Sequence, residues 1–164
     1  MTVEVEPRLH LADFLRERLR LTSVHLGCQH GVCGACTVFI NGELARSCIA
    51  LVAGLDGAEV LTVEGMADDP LMQQLKESFH QAHGLQCGFC TPGMLTTSWD
   101  LLQRCGSMDE AQIRREMSGN LCRCTGYQGI VRSIKAVADT LPATVDAHES
   151  ALKRRRPDDY SKEI

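Results

Sequence analysis

Residues 27–48 read GCQHGVCGACTVFINGELARSC, which spaces Cys28, Cys33 and Cys36 as C-x4-C-x2-C and places eleven residues between Cys36 and Cys48. The first three cysteines follow the pattern of plant-type [2Fe–2S] ferredoxins. An oxidised two-iron cluster held by four thiolates is anionic, so its loop must turn backbone N–H groups toward the sulfurs. Gly27, Gly31 and Gly34 suit that need, because glycine tolerates positive φ and close approach, and successive amides form an anion-binding nest. Cys48 returns from beyond the hairpin signalled by Asn41-Gly42 and ties the loop to a sheet. Structural zinc prefers paired C-x2-C knuckles. Here one C-x2-C is joined by a C-x4-C and a distant lone thiol, which favours iron–sulfur. Cys28-Gln29-His30 spells C-x-H, but no C-x2-H follows, so a Rieske centre is not indicated and His30 reads as a loop surface residue.

The surrounding sequence falls into two halves. Thr2–Glu6 alternates polar and β-branched residues, Thr37–Ile40 is β-prone, and further strands are predicted near Leu44–Arg46 and at Val60–Val63. One helix interrupts them, with Leu9, Leu11, Phe14, Leu15, Arg18 and Leu19 at helical spacing after Pro7. The stretch VEGMADDP, ending at Pro70, breaks the pattern around Glu64–Pro70. Beyond it the chain reads as helical. Leu71–His83 carries Leu71, Met72, Leu75 and Phe79 on one face after Asp68, Asp69 and Pro70. Pro92–Arg104 follows Thr91 as N-cap, Ala111–Met117 follows Asp109, and Gln128–Leu141 carries Ile130, Val131, Ile134, Val137 and Ala138. Four short helices with small connections suggest a bundle. Residues 143–164 read as a charged tail. Its basic run Lys153-Arg154-Arg155-Arg156 is followed by Asp158 and Asp159, which points to a solvated or partner-bound terminus.

The second half has its own thiols. Residues 86–93 are QCGFCTPG and residues 119–126 are GNLCRCTG, so Cys87 and Cys90 form C-x2-C and Cys122 and Cys124 form C-x-C. Each pair precedes a predicted helix, whose N-terminus stabilises negative charge by about 0.3–1 kcal/mol when exposed. This spacing alone suits zinc thiolates as well as a cluster. Cys105, at a predicted helix end, is read as a buried structural thiol and not a ligand. His80 and His83 stand at i and i+3 without a third ligand, so surface or interface positions are expected. Arg123 either faces solvent or tunes the charge between its two neighbouring cysteines.

Composition agrees with metal. Nine cysteines in 164 residues exceed what packing needs, and with aromatics at 4% two small lobes require a staple. The start, MTVEVEPRLH, shows no export signal, which leads to the expectation of a cytoplasmic protein whose thiols bind metal rather than form disulfides. No apolar run of membrane-spanning length occurs, and the net charge of −4 argues against nucleic acid.

Taken together, GCQHGVCGACTV, LQCGFCTPGM and GNLCRCTGYQGIV resemble the small iron–sulfur subunit of the xanthine oxidase family of molybdenum hydroxylases, with similarity from about Thr2 to Leu141. The resemblance implies an α+β chain. An N-terminal β-grasp [2Fe–2S] ferredoxin-like domain (residues 1–66) precedes an all-α four-helix [2Fe–2S]-binding domain (67–142) and the tail (143–164). It implies ligands Cys28, Cys33, Cys36 and Cys48 for the first cluster and Cys87, Cys90, Cys122 and Cys124 for the second. It also implies that Gln86 and Cys124 lie beside the pterin of a partner. Those partners are a large subunit with a molybdopterin-type molybdenum cofactor and a medium subunit with FAD, in a heterotrimer or its dimer. No catalytic residue is expected in this chain, which would relay electrons from molybdenum through both clusters to flavin. Family members open with an extra strand and an N-G turn that are missing here, so either the start is misplaced or the sheet has an altered edge. The short stretch Gln29–Val32 resembles hydroxylases of N-heteroaromatic compounds or aldehydes more than carbon monoxide dehydrogenase small subunits. A free-standing ferredoxin-like carrier and a zinc-stabilised module are the rival readings.

Overall fold

The computed structural model describes residues 3–142; the expected tail and residue Thr2 lie outside them. The hairpin forms as its turn dictates. Strands β1 (Thr37–Ile40) and β2 (Glu43–Arg46) pair antiparallel, with Phe39 opposite Leu44 and Ile40 opposite Glu43. Asn41 and Gly42 join them at φ of 51° and 77°, the double left-handed geometry of a tight type I′ turn. Strand β3 (Val60–Leu61) lies antiparallel on the other side of β1, giving the order β2-β1-β3. It stops short of Val63, because Val63–Met66 winds into a 3-10 turn. That turn is anchored where the Glu64 carboxylate accepts from the Ser23 N–H at 3.0 Å and from the Ser23 hydroxyl.

The strand expected at Thr2–Glu6 does not form over its described residues, 3–6. Alternating side chains need a ladder partner to become a strand, and neither edge of the described sheet pairs with this segment. Val5 packs on the core instead. The helix expected after Pro7 is short and irregular. A single turn, α1 (Leu11–Asp13), runs into a π-helical turn over Phe14–Arg18, closed by Leu19 N–H donating to the Phe14 carbonyl at 3.2 Å.

The period-two alternation of β1 divides the interior. Val38 and Ile40, with Val60 beside them, face a core of Leu11, Ala12, Phe14, Leu15 and Val24 that also takes in Cys36 and Cys48. Phe39, with Leu44 and Leu61, faces the helices. These are α2 (Pro70–Gln81), α3 (Thr91–Cys105), α4 (Glu110–Glu116) and α5 (Gln128–Ala138). Asp69 caps α2 by accepting from Met72 N–H at 2.8 Å, and Asp109 caps α4 by accepting from Gln112 N–H at 2.7 Å. Thr91 does not cap α3. Cys90 holds the N-cap position, and the Thr91 hydroxyl is buried without a hydrogen-bond partner. Helix α5 ends at Ala138, where Thr140 N–H turns back to the Val137 carbonyl, although Leu141 still packs on the core.

Helices α2 and α5 bring Met72, Leu75 and Phe79 together with Ile130, Ile134 and Val137. Trp99 on α3 meets Phe39 of β1 edge to face at 5.6 Å and donates its indole N–H to Asp69 at 2.8 Å, so sheet and helices share one apolar seam. Ile134 is fully buried in that seam. Ile134→Ala should lower stability by about 2–5 kcal/mol, read as a lower urea midpoint by circular dichroism; an unchanged midpoint contradicts the packing described.

Candidate metal centres

Cys28, Cys33 and Cys36 of the first thiol set sit on the loop between Leu26 and β1, and Cys48 lies in the 3-10 turn Ser47–Ile49 that follows β2. Gln29, Gly31 and Gly34 adopt positive φ of 58°, 84° and 77°, which curls the loop so that Cys33 N–H donates to Cys28 Sγ at 3.3 Å. Gly31 and Gly34 behave as the sequence suggested. Gly27 is not left-handed; its value is steric, since a Cβ there would stand 3.1 Å from Cys33 Sγ. Gln29, a residue with no glycine-like signal, takes the third left-handed position. Cys28 and Cys33 are half-exposed, whereas Cys36 and Cys48 are buried at 2% and 3% exposure.

Electrostatics divides these thiols. The N–H groups of Cys33 and His30 bring the Cys28 thiol down to about 6. Burial, followed by the neighbouring Cys36 thiol, pushes Cys48 up to about 11. His30 is exposed and places Nδ1 2.5 Å from the Cys28 carbonyl, consistent with a loop surface residue.

The second set is drawn from two loops that meet at helix N-termini. Cys87 and Cys90 lead into α3, and Cys122 and Cys124 precede α5. Cys124 and Cys87 place their sulfurs 3.4 Å apart, and both are exposed. Cys90 and Cys122 lie deeper, with their thiols near one another. Burial first, then the Cys122 thiol, pushes Cys90 up to about 12. At Cys122 burial is outweighed by the Thr125 hydroxyl, 3.2 Å away, and by nearby amides, so its thiol is lowered. Cys87 is lowered by the Phe89 N–H, and Cys124 is raised by the Cys87 thiol. Tyr127, left-handed at φ 68°, accepts Cys122 N–H on its hydroxyl at 2.8 Å.

Other singled-out residues stay apart. Cys105 is buried in the helical core at the end of α3, its thiol raised by burial, as a structural cysteine should be. His80, His83 and Arg123 are exposed, and Gln86 is exposed beside Cys87.

Several contacts joining the two sets carry no sequence signal. Leu121 N–H donates to the Cys33 carbonyl at 2.8 Å. The His25 and Phe89 rings stack at 4.7 Å, and His25 Nδ1 lies 2.7 Å from the Phe89 carbonyl. Asn120, 1% exposed, reaches the Gly34 carbonyl at 3.2 Å.

The donor sets fit two-iron clusters. Each offers only thiols, arranged as pairs: Cys28 with Cys33, Cys36 with Cys48, Cys87 with Cys124 and Cys90 with Cys122. Among the described residues, no group of three or more His, Cys, Asp or Glu side chains is placed to hold a single ion. In metal-free protein at neutral pH, alkylation followed by mass spectrometry should mark Cys28 and Cys87 first and Cys48 and Cys90 last. Labelling of Cys28 should fall only as pH drops below about 6, where its lowered thiol regains a proton. Equal labelling of all four contradicts these environments.

Residues 9–79 match the family model of a 2Fe-2S iron-sulfur cluster binding domain, and residues 62–135 match that of a [2Fe-2S] binding domain. The first range holds the first thiol set, and the second range holds the second, which resolves the zinc alternative left open by spacing. The chain is 51% identical over 140 residues to caffeine dehydrogenase subunit gamma of Pseudomonas sp. (strain CBB1), covering 84% of each. It is 48% identical over 133 residues to the nicotine 6-hydroxylase small subunit of Paenarthrobacter nicotinovorans, covering 81% of this chain and 80% of that one. The solved structure of quinoline 2-oxidoreductase from Pseudomonas putida 86 superposes with a TM-score of 0.77 at 45% identity, over 88% of this chain and 87% of that one. With two tandem [2Fe–2S]-binding domains and relatives of this kind, the chain belongs to the xanthine oxidase family of molybdenum hydroxylases, among its small iron–sulfur subunits.

Proposed function

We propose that this chain is the electron-relaying subunit of a molybdenum hydroxylase. Cys28, Cys33, Cys36 and Cys48 hold one [2Fe–2S] cluster, and Cys87, Cys90, Cys122 and Cys124 hold the other. When bound, the clusters take up and release single electrons. The chain supplies no catalytic group; its residues set where the clusters stand and what surrounds them. Residues 1–66 act as a β-grasp ferredoxin-like domain and 67–142 as a four-helix domain. In the first site the left-handed turns at Gln29, Gly31 and Gly34 curl the loop so that the amides of His30 and Cys33 meet Cys28 and that of Gly31 meets Cys48. In the second, the starts of α3 and α5 bring their positive ends near the thiolates.

The observation that carries the reading is the hydrogen bond from Leu121 N–H to the Cys33 carbonyl, 2.8 Å. Leu121 is bonded directly to Cys122, so ligands of the two sites are joined by one hydrogen bond and a few covalent bonds. A free-standing carrier has no need of such a bridge. The exposed face of Cys87 and Cys124, with Gln86, is the side turned toward the pterin of a large molybdopterin-bearing partner, and a medium FAD-bearing partner takes the electrons onward in a cytoplasmic heterotrimer. The substrate class is an N-heteroaromatic compound, supported by relatives named for caffeine, nicotine and quinoline. Aldehydes are the second reading, supported by likeness, at 35% identity and a TM-score of 0.76, to 16% of the chain of an aldehyde oxidoreductase from Desulfovibrio desulfuricans ATCC 27774.

The complex purified with its partners should contain about four irons per copy of this chain and give two distinct [2Fe–2S] signals by EPR after reduction. Cys36→Ala should abolish one signal and leave the other. Zinc at the second site, or a single signal from the intact complex, overturns the reading. On gel filtration of cell extract the chain should elute well above its 18.0 kDa mass; elution at that mass would favour the free carrier.

A further inference from the structure

Asn120 is a large polar side chain with 1% exposure; its backbone closes the 3-10 turn Met117–Gly119, but its side chain is no ligand. Its surroundings explain its burial. Its amide Nδ2 donates to the Gly34 carbonyl at 3.2 Å, in the middle of the first thiol loop between Cys33 and Cys36. Its Oδ1 accepts from the Thr97 hydroxyl on α3 at 3.2 Å, and Arg46 of β2 approaches the same oxygen at 3.5 Å. Arg46 also donates to the Gly119 carbonyl at 2.8 Å and to the Thr37 hydroxyl. Thr37 in turn donates to the Gly34 carbonyl at 2.6 Å.

Thus Asn120 touches the first loop on one side and α3 on the other. It also stands two residues before Cys122, next to the Leu121 amide that bonds to Cys33. There is no slack around it. A Cβ on Gly34 would stand 2.6 Å from the Gly119 carbonyl and 2.8 Å from the Asn120 side chain, so the two loops are already in contact. Buried polar side chains that are fully paired fix one arrangement of the groups around them.

We propose that Asn120 is a positioning residue for electron exchange between the two clusters: it locks the loop of Cys33 and Cys36 against the loop of Cys122 so that the Leu121–Cys33 bridge keeps its length. This rests on the relay reading above. Helix α3 touches both loops as well, through Gly93 at Gly34 and Thr97 at Asn120, and the Asn120 side chain joins these contacts beside the bridge.

The test uses the intact complex with Asn120→Asp, which keeps the shape and the acceptor for Thr97 but removes the N–H donated to Gly34. Iron content and the two EPR signals report whether the clusters are present. The rate at which an electron delivered to one cluster appears on the other, followed by rapid freeze-quench EPR, reports the coupling. The expected result is full iron, two signals with unchanged g values, and exchange slowed about tenfold or more, as loss of positioning at the ångström scale commonly produces. Unchanged exchange in a fully loaded variant overturns the proposal. Should Asn120→Asp lose iron, Thr97→Val decides in the same way, since it leaves Asn120 in place but removes the α3 hydroxyl from its Oδ1. Slowed exchange with intact clusters supports the proposal. Unchanged exchange, or loss of iron there too, overturns it and leaves Asn120 a folding role only. A wild-type complex with one signal or too little iron would instead remove the relay reading itself.

Discussion

Backbone touches backbone where Gly34, in the first thiol loop, meets Gly93, in the first turn of α3. A methyl group on Gly93 would run into the Gly34 carbonyl, and one on Gly34 would run into the Gly119 carbonyl. Three segments that are far apart in sequence therefore meet at close range. That contact lets the Gly34 carbonyl gather hydrogen bonds from Thr37 and Asn120, and it brings Leu121 within reach of Cys33. Leaving any of these buried groups unpaired would cost on the order of 1–3 kcal/mol. The two lobes are thereby held as one unit, and the sheet serves both of them. Val38 and Phe39, adjacent in sequence, belong to different cores because strand side chains alternate faces.

The thiols inherit opposite environments from this arrangement. In each set one pair is turned toward solvent or the loop surface, and the other is turned inward. Cys36 and Cys48 are sealed under the N-terminal core, and Cys90 lies against the helical core. Burial disfavours a free thiolate at Cys48 and Cys90, so these inward sulfurs are poor places for bare charge. Amides do the converse at Cys28, and the Thr125 hydroxyl with nearby amides does so at Cys122 even though it lies inward. The sites are thus asymmetric before any metal is considered.

Much of this was legible in the residues. Asn41-Gly42 dictated its turn, Asp69-Pro70 and Asp109 marked helix starts, and the apolar spacing of Met72, Leu75 and Phe79 named the buried face of α2. The clustering of thiols was plain from spacing. What could not be read depends on contacts across long sequence separation. Val3 and Val5 alternate like a strand, but strand formation needs a neighbour that local pattern cannot supply. Thr91 has the chemistry of a cap, yet the tertiary position of Cys90 took that place. Gln29 at positive φ and Asn120 in a polar knot carry no composition signal, since their conformations are imposed by loops that close only when the whole chain has folded.

The exposure of Cys87 and Cys124 has a bearing on how such a subunit is handled by a cell. Two sulfurs 3.4 Å apart at the surface are near enough for oxidative pairing after only a small movement, and an oxidised pair can no longer serve as thiolate ligands. Lone subunits waiting for partners would be the vulnerable species. Reducing surroundings keep the two thiols apart as thiols, so the redox state of the medium governs whether this pair stays available.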